Sequence, residues 1–141
     1  SMMAEVENTV VEFPLGKDTP RPADMPRLKK AIDTLVELEN ITKRMGFSAS
    51  LTIYGHADTV GDERRNYEIS QSRARTVASM LYAKGSSMPV AIYGMGAEYP
   101  RGGSDAQERA AAKKENPASR RIELRVHFSL SASARPEMFR R

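Results

Sequence analysis

An aspartate and an arginine, Asp58 and Arg73, stand on either side of a polar loop and the start of a helix. A carboxylate binds an ammonium group, and the planar guanidinium fork binds a carboxylate through two parallel hydrogen bonds. A pair held apart by a rigid frame can therefore bind a zwitterion. The same two residues can instead pair with each other as a structural salt bridge, and their spacing alone favours that simpler interpretation.

The elements around this pair are a strand, a loop and an amphipathic helix. Residues 51–54, LTIY, alternate apolar and polar side chains, which is the period of a strand with one buried face. Gly55 ends the strand, and a polar loop runs from there to Gly61. Asp58 lies just beyond the strand end, where ligands of open α/β sheets bind. The helix repeats small or apolar residues at 3.6-residue spacing, namely Ser70, Ala74, Val77, Ala78 and Leu81.

One flank of this helix carries polar side chains toward the loop. At about 100° per residue, Arg73 lies at the edge of the apolar stripe, and Asn66 lies nearly on the same line two turns earlier. Asp58 can fold back from the loop to meet them. The sequence therefore predicts a polar site between the loop and the helix.

The stretch resembles the signature of the OmpA-like peptidoglycan-binding domain family, a G-H/x-T-D-x-x-G loop, an Asn, and an L-S-x-x-R-A-x-x-V-x-x-x-L helix. The matching residues are Gly55, His56, Ala57, Asp58, Gly61, Asn66, Ile69, Ser70, Arg73, Ala74, Val77 and Leu81. Two further blocks match the family's G-x-G-E-x-x-P and N-R-R-V-E patterns. They are Gly94, Gly96, Glu98 and Pro100, with Ala97 as one added residue, and Ser119, Arg120, Arg121, Ile122 and Glu123. The resemblance extends from about residue 6 to residue 128.

The resemblance implies non-catalytic binding of cell-wall peptidoglycan through the meso-diaminopimelate residue of the stem peptide. By that resemblance, Asp58 takes the ammonium of the ligand and Arg73 takes its carboxylate. Thr59 and Asn66 are expected as supporting polar or backbone contacts. The family also implies an envelope protein anchored to the wall in the periplasm of a Gram-negative-type bacterium, and it leaves open a homodimer.

Two residues depart from the family pattern and keep other interpretations open. Ala57, which we count with the ligand-binding residues, replaces a Thr beside the acid, and Ser119 replaces an Asn before the paired arginines. These changes favour a second hypothesis, a protein-interaction module with the same fold that has lost wall binding. A third hypothesis, a peptidoglycan hydrolase, rests on His56 near Asp58. No catalytic motif accompanies them, and the other histidine, His127, is expected on the outward face of a strand, so we expect no enzyme.

The composition predicts one domain without metal or cofactor. The chain has 141 residues, of which 40% are hydrophobic and 28% charged, as in ordinary globular domains. The net charge of +4 is mild and aromatic residues are 6%, so no nucleic-acid partner is expected. The absence of cysteine excludes disulfides and thiolate metal sites. No apolar run approaches the roughly 20 residues that span a bilayer, so membrane attachment is expected only through a segment outside this sequence.

Periodicity along the chain predicts an α+β fold with helices on one face of a mixed four-stranded sheet. The other predicted elements are strands over residues 6–13, 89–93 and 121–129, a helix over 24–44, and a short helix over 104–114 within an insertion at 101–119. The resulting order is β-α-β-α-β-(short α)-β. The family resemblance implies the strand order 1-4-2-3, with strand 4 antiparallel to the others.

The predicted domain boundaries follow from the ends of this pattern. Residues 1–5 are expected to be the remnant of an expression tag and a disordered start. Residues 6–129 form the domain, and residues 130–141 form a C-terminal tail rich in Ser, Ala and Arg.

Overall fold

The computed structural model describes residues 1–99 and 116–130. Within these ranges the helices are α1 (Met2–Glu7), α2 (Met25–Arg44) and α3 (Glu63–Ala83), with short 3-10 turns at Pro22–Asp24 and Pro117–Ser119. The strands are β1 (Val11–Glu12), β2 (Phe47–Gly55), β3 (Val90–Gly94) and β4 (Arg121–Leu130). The predicted helix over 104–114, most of the insertion at 101–119 and the tail after residue 130 lie outside the described residues.

The four strands form one mixed sheet in the order β1-β4-β2-β3. β2 and β3 run parallel, whereas β4 is antiparallel to both of its neighbours. The longest pairing joins β2 to β4, from Phe47 opposite Leu130 to Gly55 opposite Ile122. The predicted α+β fold, its strand order and the direction of strand 4 are therefore confirmed.

The core lies between one face of this sheet and the helices. On β2, alternate residues point into it, because side chains of a strand alternate between the two faces. The buried apolar residues of the sheet are Val11, Ala49, Leu51, Ile53, Ile122, Leu124 and Val126, and those of α2 and α3 include Leu28, Ile32, Leu35, Ala74, Val77 and Leu81. On the opposite face, the rings of Tyr54 and Tyr93 stack with centroids 5.6 Å apart.

The first strand is much shorter than predicted, and a helix precedes it. Residues 2–7, assigned from the sequence to a disordered start and a strand, form α1. The Oγ of Ser1 accepts a hydrogen bond from the N–H of Ala4 at 3.2 Å, which caps this helix. The apolar face of α1 places Val6 in the core with no exposed surface. The alternating pattern is correct only at Val11 and Phe13, which are both buried.

Helix α1 also protects an edge of the sheet. Strand β1 pairs only with the first two residues of β4, Arg121 and Ile122, and the rest of that edge needs another cover. Glu7 at the end of α1 supplies one, because its Oε2 accepts the N–H of Val126 at 2.8 Å.

Asp24 fixes the long connection between β1 and α2. It is the residue before α2, yet its side chain makes no capping bond to that helix. Instead the fully buried carboxylate accepts the N–H of Glu12 at 2.9 Å and bonds to the guanidinium groups of Arg21 and Arg27. The carboxylate therefore joins β1, the connection and the first turn of α2 at one point.

Candidate functional site

A glycine at the end of β2 brings α3 close to the sheet. A Cβ on Gly55 would lie 1.8 Å from the carbonyl oxygen of Ser70 in α3, so no larger residue fits at this crossing. Asp62 caps α3, since its Oδ1 accepts the N–H of Arg65 at 2.8 Å. The loop at 56–61 is therefore held between the strand end and the first turns of the helix.

Backbone hydrogen bonds fasten this loop on both sides. The N–H of His56 donates to the carbonyl of Arg121 at 2.8 Å, and the N–H of Ala57 donates to the carbonyl of Gly96 at 2.8 Å. Gly96 is itself tied to α3, because its N–H donates to Oγ of Ser70 at 2.9 Å. The loop thus connects β4, the segment after β3, and α3.

Asp58 is only 3% exposed and its carboxylate is well bonded. Its Oδ1 accepts the N–H of Val60 at 3.2 Å, and its Oδ2 accepts the N–H of Asn116 at 3.2 Å. Oδ2 also pairs with Nη1 of Arg120 at 3.0 Å. A carboxylate has about four acceptor positions, so Asp58 keeps room for one further donor such as an ammonium group.

Arg120 is a neighbour of Asp58 for which the sequence predicts no role beyond its place in a family motif. In the fold it is 5% exposed, and its Nε donates to the carbonyl of Phe13 at 2.8 Å while Nη1 holds Asp58. The sequence contains one indication of this role. Side chains alternate between the two faces of a strand, so one of two adjacent arginines at its start points inward.

Arg73 is 1% exposed and bonded to backbone carbonyl groups. Nε donates to Lys17 at 2.9 Å, Nη1 donates to His56 at 2.9 Å, and Nη2 donates to Pro14 at 3.2 Å. The guanidinium carbon also lies 5.3 Å from the centroid of the Phe13 ring, which is a cation–π distance. This arginine therefore joins α3 to the site loop and to the connection after β1.

The surroundings of Arg73 lower the pKa of its guanidinium from 12.5 to about 10. Burial is the main cause, and the positive charge of Arg120 adds to it, whereas Asp58 and Asp18 act in the opposite direction. A pKa near 10 still leaves the guanidinium charged at neutral pH.

The simple salt bridge between Asp58 and Arg73 does not form. Among the described residues, Asp58 pairs with Arg120, and the hydrogen bonds of Arg73 go to carbonyl groups. Asp58 therefore makes no direct bond to Arg73 or Asn66, although all three residues line one cleft. The reason is that carbonyl groups of two loops converge on Arg73, and its guanidinium donates to them.

Asp58 and Arg73 nevertheless line the same cleft, which has a volume of about 450 Å³. Two other predicted site residues, Ala57 and Asn66, lie in its wall. The remaining lining residues are Leu15, Gly16, Val60, Gly61, Arg65, Glu68, Ile69 and Ser72. Thr59 is not among the lining residues, and its buried Oγ1 has no hydrogen-bond partner within residues 1–99 and 116–130.

His56 packs the loop against β4. Its Nε2 lies 2.8 Å from Oε1 of Glu123, and its ring is buried edge-on against Tyr99. The hydrogen bond from His56 lowers the pKa of Glu123 to about 2, with help from the charge of Arg121 and against the effect of burial. The described part of the chain contains no group of three or more His, Cys, Asp or Glu side chains able to hold a metal ion.

Fold and site together define a class: an α+β domain with an acidic loop fastened beside an arginine-bearing helix. The OmpA family matches residues 23–115, and the chain belongs to the OmpA family, as the sequence motifs predicted. It is 31% identical over 106 residues to outer membrane protein A of Klebsiella pneumoniae. That match covers 72% of this chain and 30% of the relative, so the chain spans under a third of the relative's length.

Solved structures show the same fold. The peptidoglycan-associated lipoprotein of Burkholderia pseudomallei has a TM-score of 0.65 at 19% identity, over 87% of this chain and 93% of that one. The cell wall anchor of the T6SS of Pseudomonas aeruginosa has a TM-score of 0.54 at 22% identity, over 84% and 74%. The periplasmic domain of Helicobacter pylori MotB has a TM-score of 0.57 at 15% identity, over 96% and 77%. No helix within the described ranges has both the length and the apolar character that a bilayer crossing requires.

Proposed function

We propose that this domain binds cell-wall peptidoglycan without catalysis and anchors an envelope protein to the wall in the periplasm of a Gram-negative-type bacterium. The observation that carries the proposal is the placement of Asp58 and Arg73, two buried groups of opposite charge, in the wall of one cleft. The relatives named for peptidoglycan association and for a cell wall anchor support it.

The cleft suits the distal end of meso-diaminopimelate, which carries both an ammonium and a carboxylate. The remaining acceptor position of Asp58 takes the ammonium. The N–H groups of Arg73 that are not used by backbone carbonyls take the carboxylate. Both charged groups are ordered before a ligand arrives, so little conformational entropy is lost on binding.

The supporting residues have distinct parts in this proposal. Asn66 lies in the cleft wall and offers an amide to the ligand. Ala57 provides a small apolar surface at the position where the family pattern has the hydroxyl group of a threonine. Thr59 does not line the cleft, and its part in this proposal is to support the loop that carries Asp58.

The test is sedimentation of the purified domain with diaminopimelate-type sacculi. We expect Asp58→Asn and Arg73→Lys each to reduce binding at least tenfold, since a lysine cannot reproduce the guanidinium fork. Arg73 also supports the fold, so a cleft-blocking variant, Ser72→Tyr, is needed beside it. Ser79→Tyr, an exposed position outside the cleft on the same helix, is its matched control. Circular dichroism and thermal unfolding check that each variant is folded.

The outcomes separate the hypotheses. A folded wild-type domain that stays in the supernatant contradicts wall binding and favours the interaction module. Equal binding by wild type and the Ser72→Tyr variant contradicts the cleft as the site. Release of soluble muropeptides during the incubation contradicts the non-catalytic assignment. Dimerisation stays a prediction, to be measured by analytical ultracentrifugation with and without wall fragments.

A further inference from the structure

The rim of the cleft carries a second arginine. Arg65 lines the cleft with an exposed side chain, and its backbone N–H is bonded to the cap residue Asp62. Within the described part of the chain, its guanidinium has neither a hydrogen bond nor an ion pair. Its neighbour Arg64 differs, because Nε of that residue lies 3.3 Å from Oε1 of Glu68.

The charges in the cleft do not balance. Of the two acids in its wall, Asp58 is paired with Arg120 at 3.0 Å and Glu68 is paired with Arg64. Arg73 is bonded to carbonyl groups and Arg65 is exposed, so neither has an acidic partner within hydrogen-bond distance among the described residues. A ligand with two carboxylates complements this arrangement better than a ligand with one.

The two arginines lie at different depths of the cleft, with Arg73 deep inside and Arg65 at the rim. Arg65 lies about 12 Å from Arg73 along the helix axis, from a rise of about 1.5 Å per residue, and Ile69 and Ser72 line the cleft between them. In the proposed binding mode the distal zwitterion of diaminopimelate lies deep, at Arg73. The peptide backbone that carries it then lies toward the rim, and an extended chain spans about 3.5 Å per residue, so a neighbouring carboxylate comes within reach of Arg65.

We infer that Arg65 recognises a second carboxylate of the stem peptide and so determines which chemical form of the wall is bound. This inference rests on the proposed function. Two positions of the peptide offer such a group: the α-carboxyl of the D-glutamate before diaminopimelate, and the free carboxyl at the peptide's C-terminus. Amidation removes the negative charge in either place, so Arg65 loses the ion pair and the bidentate contact and keeps only a hydrogen bond to the amide oxygen.

The experiment compares three synthetic tripeptides by calorimetry with the purified domain: L-Ala-γ-D-Glu-meso-diaminopimelate, the same peptide amidated at the glutamate α-carboxyl, and the same peptide amidated at the C-terminus. We expect wild type to bind the free tripeptide about three- to fivefold more tightly than one amidated form, which is the upper part of the range for a single exposed ion pair. The amidated position that weakens binding identifies the carboxylate. Raising the salt concentration to about 0.5 M should reduce the difference.

Two variants make the test specific. Arg65→Gln should bind all three peptides with equal affinity. Arg75→Gln removes the same charge from an exposed position of α3 outside the cleft, and it should keep the wild-type preference. Equal binding of all three peptides by wild type, or weakening of all three by the same factor in Arg65→Gln, would show that Arg65 does not recognise a carboxylate. The proposed function would still stand in either case. If wild type binds none of them, the proposed function fails and this inference fails with it.

Discussion

Asp58 and Arg73 complete most of their hydrogen bonds inside the protein, with partners far away in the sequence. Asp58 uses Asn116 and Arg120, and Arg73 uses the carbonyls of Pro14 and Lys17. Both side chains are therefore fixed in place by the folded chain before any ligand binds. This is the arrangement expected of a preorganised charged site.

These residues also show which features of the site can be predicted from the sequence. The positions of Asp58 and Arg73 on one cleft follow from a strand end, a short loop and the 3.6-residue period of α3, which are all local. The identity of their partners does not follow, because Arg120 lies just before β4 and the carbonyl groups of Pro14 and Lys17 belong to the connection after β1. Such partners depend on strand order and packing, which a local pattern does not encode.

The pair of His56 and Glu123 gives a pH-dependent prediction. The folded protein lowers the pKa of Glu123 to about 2 from an ordinary value of 4.5, chiefly through the hydrogen bond from His56. The unfolded chain therefore binds the proton more tightly, so this stabilisation is present above about pH 4.5 and is lost as the pH falls toward 2. Glu123→Gln should lower the free energy of unfolding by about 1.5 kcal/mol at pH 7, and by much less near pH 3.

Urea unfolding between pH 3 and pH 7 measures this difference. Glu68→Gln, at an exposed position of α3, is the control and should change stability by under about 0.5 kcal/mol at every pH. A Glu123→Gln effect that does not shrink on acidification contradicts the role assigned to the carboxylate charge.

At the scale of elements, the crossing of β2 and α3 determines where the site loop lies. A methyl group on Gly55 would overlap the carbonyl oxygen of Ser70, which is rigid helix backbone. Gly55→Ala should therefore displace the first half of α3 from the sheet and cost about 3 kcal/mol of stability. It should also reduce sacculus binding, because Asn66 moves with the helix.

Chemical denaturation and the sacculus assay measure both effects. Ser48→Ala, at an exposed position of the same strand, should leave stability within about 0.5 kcal/mol and binding unchanged. Wild-type stability in the Gly55→Ala variant would show that the helix can shift without cost, contrary to the packing described here.

The elements differ in how well periodicity predicts them. The sequence predicts α2, α3, β2 and β4 from their one-sided apolar patterns, and β3 from a short apolar run. The first strand is predicted too long, over residues 6–13, because a strand of two residues has no period of its own and exists through the pairing of Val11 and Glu12 with β4. α1 was missed because VENTVVEF also alternates, and the cap at Ser1 and the burial of Val6 decide for a helix instead.

At the scale of the whole molecule, α1 connects the start of the chain to the last described strand. The hydrogen bond from Val126 to Glu7 covers the part of β4 that β1 leaves open. Glu7→Ala should lower stability by about 1 kcal/mol and accelerate amide hydrogen exchange at Val126. Glu5→Ala, an exposed acid in the same helix, should do neither. Unchanged exchange at Val126 in the Glu7→Ala variant would contradict the protective role of α1.

The hydrogen bonds of Arg73 have a consequence for the ancestry of such domains. Because its guanidinium ties two loops to a helix, selection for a folded product alone is enough to maintain it. A descendant that had abandoned the wall would still inherit the arginine, whereas Asn66 and Arg65 would be free to drift. An arginine at this position in a related sequence therefore indicates the same fold. A change of function would first appear as substitutions at the rim of the cleft.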